Sequence, residues 1–165
     1  MLARLARHWW HGDRTVRRHF PGDALDRIEA AIEAGEGGHG GEICVAIEAA
    51  LPPSAVWSRV TPRERALEVF SQLRVWDTEQ NCGVLVYLLL ADRDAEIVAD
   101  RGIHRVAGEA KWAEIAAAME VHFRAGRFAD GVIAGVSEIN VVLARNFVRE
   151  TGDRNELSNR PVILR

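Results

Sequence analysis

The sequence predicts an α/β protein, specifically a three-layer α/β/α sandwich around a small mixed central sheet. Two short apolar segments, 42–49 and 83–90, have the length and the composition of strands. The second segment, GVLVYLLL, shows no polar alternation, which is typical of a strand that is covered on both faces. Amphipathic helical patterns flank both segments, so we expect helices on each side of the sheet.

The first half of this domain predicts a helix, a strand and a second helix. After a Pro-Gly break at 21–22, a short helix starts near Asp23 and ends in the glycine-rich loop 35–41. The strand at 42–49 follows with alternating apolar residues. The sequence 61–64, Thr-Pro-Arg-Glu, combines a capping box with a proline at the first helical position and therefore predicts the start of the next helix.

The second half predicts two strands and two helices. The central strand 83–90 is followed so closely by a short strand at 96–99 that the two should form an antiparallel hairpin. One long helix then ends at Gly126, and a second runs over 128–147. The tail at 161–164 predicts either an edge strand or a segment that lies on the surface.

Charge is distributed unevenly along the 165 residues. Residues 1–20 hold five Arg and one Asp and carry a net charge of +4, so residues 21–165 carry −7. An acidic body lacks the clustered basic face that phosphate-backbone binding needs. This excludes nucleic acid as the main partner.

Residues 1–20 predict a basic amphipathic helix that precedes an α/β domain at 21–165. We expect Leu2, Leu5 and Trp9 of its apolar stripe to pack onto the domain. In the alternative, the segment contacts an anionic membrane surface or a membrane-protein complex. The chain shows neither the apolar stretch of a signal peptide nor a spanning segment, so it is expected to be cytoplasmic.

Acidic and amide side chains from three separate segments are predicted to meet at one edge of the sheet. The helix between the first two strands makes them parallel, and the hairpin makes the third strand antiparallel to the second. The starts of the first two strands and the end of the third therefore lie at the same edge. The residues placed there are Glu42, Asp77, Glu79, Asn81 and Asp100.

Carboxylate and amide oxygens are the ligands that Ca²⁺ and Mg²⁺ prefer, so these five residues are candidate metal ligands. The alternative is a solvated acidic edge in which Asp100 pairs with Arg101 or forms a turn closed by Gly102. No EF-hand, P-loop or G-x-S-x-G pattern is present. His39 and His104 are predicted at the same edge. They could act as proton donors there, or they could simply be exposed loop residues.

Six motifs spread over roughly residues 20–164 together match the pattern of a known family. They are GGEICVAIE at 40–48, WDTEQNCGVLVYLLL at 76–90, EIVADRGI at 96–103, the Trp of KW at 111–112, FRAGRFADGV at 123–132 and NEL at 155–157. Together they resemble the TPM-domain family, named for thylakoid lumen proteins of photosystem II repair and for a modulator of a nematode acetylcholine receptor.

The resemblance implies a three-layer α/β fold and a divalent-cation site, usually for calcium, in loops at one edge of the sheet. By motif, Asp100 of DRG and Asn81 of NCG match best, and Glu42 and Asp77 match less closely. Two functions are implied for the family: accessory proteins that help to assemble or tune membrane complexes, and acid phosphatases. We expect a metal-binding accessory module, with a metal-dependent phosphatase that hydrolyses phosphomonoesters as the alternative.

Overall fold

The computed structural model describes residues 2–149 and 155–164, which form eight helices and four strands. In chain order the elements are α1 (Leu2–Trp10), α2 (Asp13–His19), α3 (Gly22–Glu36), β1 (Glu42–Glu48), α4 (Pro53–Trp57), α5 (Pro62–Gln72), β2 (Gly83–Leu89), β3 (Asp94–Ala99), α6 (Arg101–Ala107), α7 (Glu109–Arg124), α8 (Phe128–Asn146) and β4 (Val162–Leu164). Within the described ranges, no helix is both long enough and apolar enough to span a membrane.

The four strands form one mixed sheet in the order β3-β2-β1-β4. β1 runs parallel to β2 and to β4, and β3 runs antiparallel to β2. The parallel pair and the hairpin predicted from the sequence are confirmed. β2 lies between β1 and β3 with every residue buried, as expected of a strand without polar alternation. β4 pairs in parallel with β1, so the tail forms an edge strand of the sheet.

Both faces of the sheet are covered by helices. On one face, side chains such as Ile43 and Val45 of β1 pack with α3, α7 and α8. On the other face, Ala46 of β1 and Leu85 of β2 pack with α4 and α5. Helix, sheet and helix therefore form the predicted three-layer sandwich.

The N-terminal segment corrects the expectation of a single helix over 1–20. It forms two helices, because the chain leaves the helical conformation at Gly12, which precedes α2 with φ −155°. Val16 of α2 and Phe20 after it are buried in the core. Of the three side chains expected to pack onto the domain, Leu5 does pack against its core. The expectation is wrong for Leu2 and Trp9, which are 81% and 78% exposed.

One short helix replaces a turn that the sequence indicated. Residues 99–102, Ala-Asp-Arg-Gly, resemble a turn after β3, but Asp100 is the N-cap of α6 and its side chain accepts a hydrogen bond from the N–H of Arg101. An aspartate at this position stabilises a helix start. The helix places Asp100 at the edge of the sheet where the candidate site lies.

Candidate metal centre

The three segments predicted to converge at one edge of the sheet do converge. Glu42, the first residue of β1, lies opposite Gly83, the first residue of β2. The carbonyl of Gly83 accepts a 2.8 Å hydrogen bond from the N–H of Asp100, which follows β3. The edge therefore combines the starts of two parallel strands with the end of an antiparallel one.

Asp100 is the most deeply buried acidic group at the junction of β3 and α6. The residue is only 5% exposed. Its Oδ1 atom accepts a 2.6 Å hydrogen bond from the N–H of Arg101. Oδ2 is buried and has no hydrogen-bond partner among the described residues. Leaving a buried carboxylate oxygen unpaired is costly, so this atom suits a position next to a cation.

The loop before β2 packs closely on the start of α6. A Cβ atom on Gly102 would overlap the carbonyl oxygen of Asn81, so the approach requires glycine. Asn81 itself has φ 53°, a left-handed conformation that asparagine adopts more readily than most residues. This contact holds the polar loop against the helix that Asp100 caps.

Asp77, Asn81 and Asp100 line one cleft with a volume of about 480 Å³. The loop supplies the first two residues, and the start of α6 supplies the third. Apolar and cationic walls complete the cleft, formed by Leu67, Phe70, Trp76 and Arg101. Three of the five predicted ligands therefore share one concave surface.

Glu42 and Glu79 do not line this cleft. The Glu42 carboxylate accepts hydrogen bonds from the N–H groups of Glu156 at 3.1 Å and Leu157 at 3.3 Å. It lines a separate small pocket together with His39. The N–H of Glu79 donates to the carboxylate of Glu156. These two glutamates thus contact the tail motif NEL at 155–157, on the other side of the edge.

Burial raises the pKa of Glu42 to about 7. Desolvation is the largest cause, and the nearby carboxylates of Glu36 and Glu156 act in the same direction. The two backbone N–H groups of the tail oppose the rise, because they stabilise the charged form. The Glu42 carboxyl therefore takes up a proton near neutral pH in the folded protein.

The raised pKa of Glu42 predicts a pH-dependent stability. A folded carboxyl that binds its proton more tightly than the unfolded one, whose pKa is 4.5, contributes stability that is complete below about pH 4.5 and is lost as the pH rises to about 7. We expect a loss on the order of 3 kcal/mol over this window, at about 1.36 kcal/mol per pKa unit. Urea denaturation at several pH values measures it.

The variant Glu42→Gln isolates this contribution, because glutamine cannot titrate. Its free energy of unfolding should vary less with pH between 4.5 and 7 than that of the wild type, whereas the control Glu33→Gln, at an exposed position of α3, should keep the wild-type slope. Equal slopes for Glu42→Gln and the wild type would show that Glu42 is not the titrating group.

The two histidines at this edge lie outside the cleft. His39 is buried, with Nε2 3.0 Å from Oδ1 of Asn140 and with Nδ1 accepting a 3.2 Å hydrogen bond from the N–H of Gly41. It therefore holds the glycine-rich loop on α8 and is not an exposed loop residue. His104 belongs to α6 but does not line the cleft.

The donor set of the cleft consists of two carboxylates and one amide. Within residues 2–149 and 155–164, no three His, Cys, Asp or Glu side chains are arranged to hold a metal ion. Mg²⁺ is commonly bound by one or two carboxylates and water, and Ca²⁺ also accepts backbone carbonyls. Asp77, Asn81 and Asp100 therefore fit either cation, provided that water or backbone oxygens complete its shell.

Sequence reasoning did not identify the walls of the cleft. In α5, Ala66 and Val69 are buried, and Leu67 is exposed at the cleft. For Arg101, the sequence indicates only an ion pair with Asp100. Glu156 is noticeable in the sequence only as part of the NEL motif. Its contacts with Glu79 and Glu42 could not be predicted, because they join segments far apart in the sequence.

The fold and the cleft define a three-layer α/β domain with an acidic site at one edge of its sheet. The model of the TPM domain family matches residues 19–142. The chain therefore belongs to the TPM-domain family.

Solved structures with a similar fold include two NMR structures. The NMR structure of the BA42 protein from the psychrophilic bacterium Bizionia argentinensis has a TM-score of 0.76 and 27% identity, and the match covers 87% of this chain and 94% of that one. The NMR structure of the N-terminal domain of a protein from P. gingivalis has a TM-score of 0.62 at 19% identity, with 80% and 83% covered, and shares the fold. Among curated proteins, none matches the chain significantly.

Proposed function

We propose that this protein binds a divalent cation, Ca²⁺ or Mg²⁺, in the cleft of Asp77, Asn81 and Asp100, and that it acts as a binding and accessory module for a protein complex. The observation that carries the proposal is the buried Oδ2 of Asp100, which has no hydrogen-bond partner in the described part of the chain. A cation in the cleft would offset the cost of burying this oxygen.

The geometry favours oxygen ligation by three side chains from two elements. Asp77 and Asn81 come from one loop, and Asp100 comes from the start of α6, so a bound cation would link the loop to the helix. Oδ1 of Asp100 is already engaged by the N–H of Arg101, which fixes the orientation of the carboxylate. Glu42 and Glu79 lie outside the cleft and are not part of this proposed ligand set.

The walls of the cleft favour a binding module over an enzyme. Leu67 and Trp76 are both exposed beside the acidic group, and apolar side chains next to a charged site suit the recognition of a protein segment. The candidate proton donors, His39 and His104, do not line the cleft. A general acid must come within hydrogen-bond reach of the leaving group, directly or through one water.

Arg101 supports the second candidate function, a metal-dependent phosphatase. Its exposed side chain lies at the cleft and could pair with a phosphate oxygen. When bound, the metal would polarise a phosphoryl oxygen and activate water. Asp77 and Asp100 would hold the metal, and Arg101 would orient the phosphomonoester.

Thermal unfolding with added cation tests the site. A cation that binds only the folded state stabilises it by about 2.7 kcal/mol at 100 times its dissociation constant. We expect millimolar CaCl₂ or MgCl₂ to raise the melting temperature of the wild type and to have little effect on Asp100→Asn. Asparagine is also a good N-cap residue, so this variant should fold without metal.

Glu79→Gln is the matched control, because it removes a carboxylate from the same loop but outside the cleft. It should respond to the cation as the wild type does, whereas Asp77→Asn should respond weakly. A wild-type melting temperature that does not change with either cation would overturn the proposal. Metal-dependent release of phosphate from an aryl phosphate, abolished in Asp100→Asn, would establish the phosphatase in place of the binding module.

A further inference from the structure

Helix α1 is strongly amphipathic but is attached to the domain by its polar edge. Arg4 and His8 lie one turn apart on the side that meets the domain, and His8 is buried. Leu5 is partly buried and packs against the core beside them. The other apolar residues of the helix are exposed: Leu2, Ala3, Ala6, Trp9 and Trp10. Most of the apolar surface of α1 is thus exposed, whereas a surface helix usually buries its apolar face.

Polar contacts explain this orientation. Arg4 and Arg7 both pair with Asp92 in the turn between β2 and β3, at 2.9 and 2.8 Å. Nη1 of Arg4 also donates to the carbonyl of Val60 at 2.9 Å. The polar edge of α1 is thus fixed to the turn after β2 and to the segment before α5.

His8 adds a buried contact to these ion pairs. Its Nδ1 accepts a 2.9 Å hydrogen bond from the N–H of Leu51, which follows β1. The helix is therefore anchored at the end of the sheet opposite the cleft of Asp100, because Leu51 and Asp92 follow the carboxyl ends of β1 and β2. With α1 held in this way, Trp9 and Trp10 are 78% and 83% exposed.

Exposed positive charge follows this apolar face in the chain. The next helix, α2, exposes Arg14, Arg17 and Arg18, and residues 1–20 carry a net charge of +4. α4 packs beside α1 and exposes a further tryptophan, Trp57. Exposed tryptophan combined with arginine is the composition of helices that lie in the interface of an anionic membrane.

We infer that α1 docks this protein on an anionic lipid bilayer, with Trp9 and Trp10 in the interfacial region and the arginines of α2 near the headgroups. The anchoring contacts with Asp92 preorganise the face, so little ordering is needed on binding. A second copy of the chain is a poorer occupant, since a symmetric contact through this face would bring two segments of charge +4 together. The inference does not depend on the proposed cation site.

Cosedimentation of the full chain with vesicles tests the inference. The probe is a set of vesicles of phosphatidylcholine with 30% phosphatidylglycerol, compared with vesicles of phosphatidylcholine alone at physiological salt. We expect the wild type to pellet with the anionic vesicles, to pellet much less with the neutral ones, and to be released at high salt. Failure to pellet with anionic vesicles, or equal binding to both kinds, would overturn the inference.

Variants assign the binding to this face. The double variant Trp9→Ser with Trp10→Ser should lose at least tenfold in partitioning, whereas Val106→Ser, at an exposed position of α6, should bind as the wild type does. Charge removal at Arg14, Arg17 and Arg18 should lower partitioning on the order of 100-fold, since each basic residue near the surface contributes about 1 kcal/mol.

Sedimentation velocity without vesicles completes the test. A monomer is expected at micromolar concentration. A dimer that the double tryptophan variant abolishes would overturn the inference in favour of self-association. Because the two rings are exposed, the double variant should melt as the wild type does, and a loss of vesicle binding would then not reflect unfolding. Wild-type binding by this variant would also overturn the inference.

Discussion

Arg65→Ala is expected to lower the free energy of unfolding by about 3–5 kcal/mol, the cost of removing one partner from a buried ion pair. Glu48 at the end of β1 is buried, and its carboxylate is held by Nε of Arg65 at 2.9 Å and by Nη2 at 3.0 Å. The hydroxyl of Tyr87 donates a 2.6 Å hydrogen bond to the same carboxylate. Without Arg65, the charge of Glu48 would keep only this one neutral partner.

The hydrogen bonds to Glu48 raise the pKa of Arg65, and burial beside Glu48 raises the pKa of Tyr87. Tyr87 is thus a neutral hydrogen-bond donor beside the pair of Arg65 and Glu48. Urea denaturation followed by circular dichroism measures the loss of stability. The control is Arg124→Ala, which breaks an exposed pair with Glu120 and should cost less than about 1 kcal/mol. Similar losses in the two variants would contradict the prediction.

Gly83→Ala should cost about 3 kcal/mol or more, or prevent folding, because the site has no room for a methyl group. A Cβ atom at Gly83 would overlap the backbone carbonyl of Val75. The strand cannot shift to relieve the overlap, since β2 is paired on both sides and the carbonyl of Gly83 accepts the N–H of Asp100. The substitution would also move the loop that carries Asp77 and Asn81.

Gly37→Ala is the matched control for this change. Gly37 follows α3 with φ −62°, and a Cβ atom there would meet nothing within 4 Å. Alanine at such a position should be neutral or stabilise the protein by up to about 1 kcal/mol, because it restricts the unfolded chain. Thermal melting of the two variants separates the effects. Comparable melting temperatures would mean that the loop at Val75 moves away freely.

The sheet topology could be predicted from the sequence because local features determine it. A helix between β1 and β2 requires a parallel crossover, and the short connection between β2 and β3 requires a hairpin. These two facts also place Glu42, the loop of Asp77 and Asn81, and Asp100 at one edge. The placement of side chains within that edge could not be predicted, because it depends on contacts between distant residues.

Three such contacts account for the differences between the predicted and the observed structure at the site and in the N-terminal segment. The tail N–H groups of Glu156 and Leu157 engage Glu42, more than 100 residues away, and remove it from the cleft. Gly102 packs on the loop of Asn81, and a helix begins there where the sequence resembles a turn. Asp92 pairs with Arg4 and Arg7 of α1, and Leu2 and Trp9 of the apolar stripe stay exposed. The periodicity of apolar residues identifies a helix but not the surface against which the helix packs.

Strand β4 has a consequence for how the molecule avoids association through its sheet. β1 would otherwise present unpaired N–H and C=O groups at Ala46–Glu48, an edge to which a strand of another chain could add. The tail covers this stretch with the protein's own backbone. At the opposite edge, Arg63 of α5 donates to the carbonyl of Ile97 in β3 at 2.6 Å and so occupies an edge acceptor with a charged side chain. Two different devices thus limit strand addition at the two sides of the sheet: a very short edge strand on one side and a charged side chain on an edge acceptor on the other.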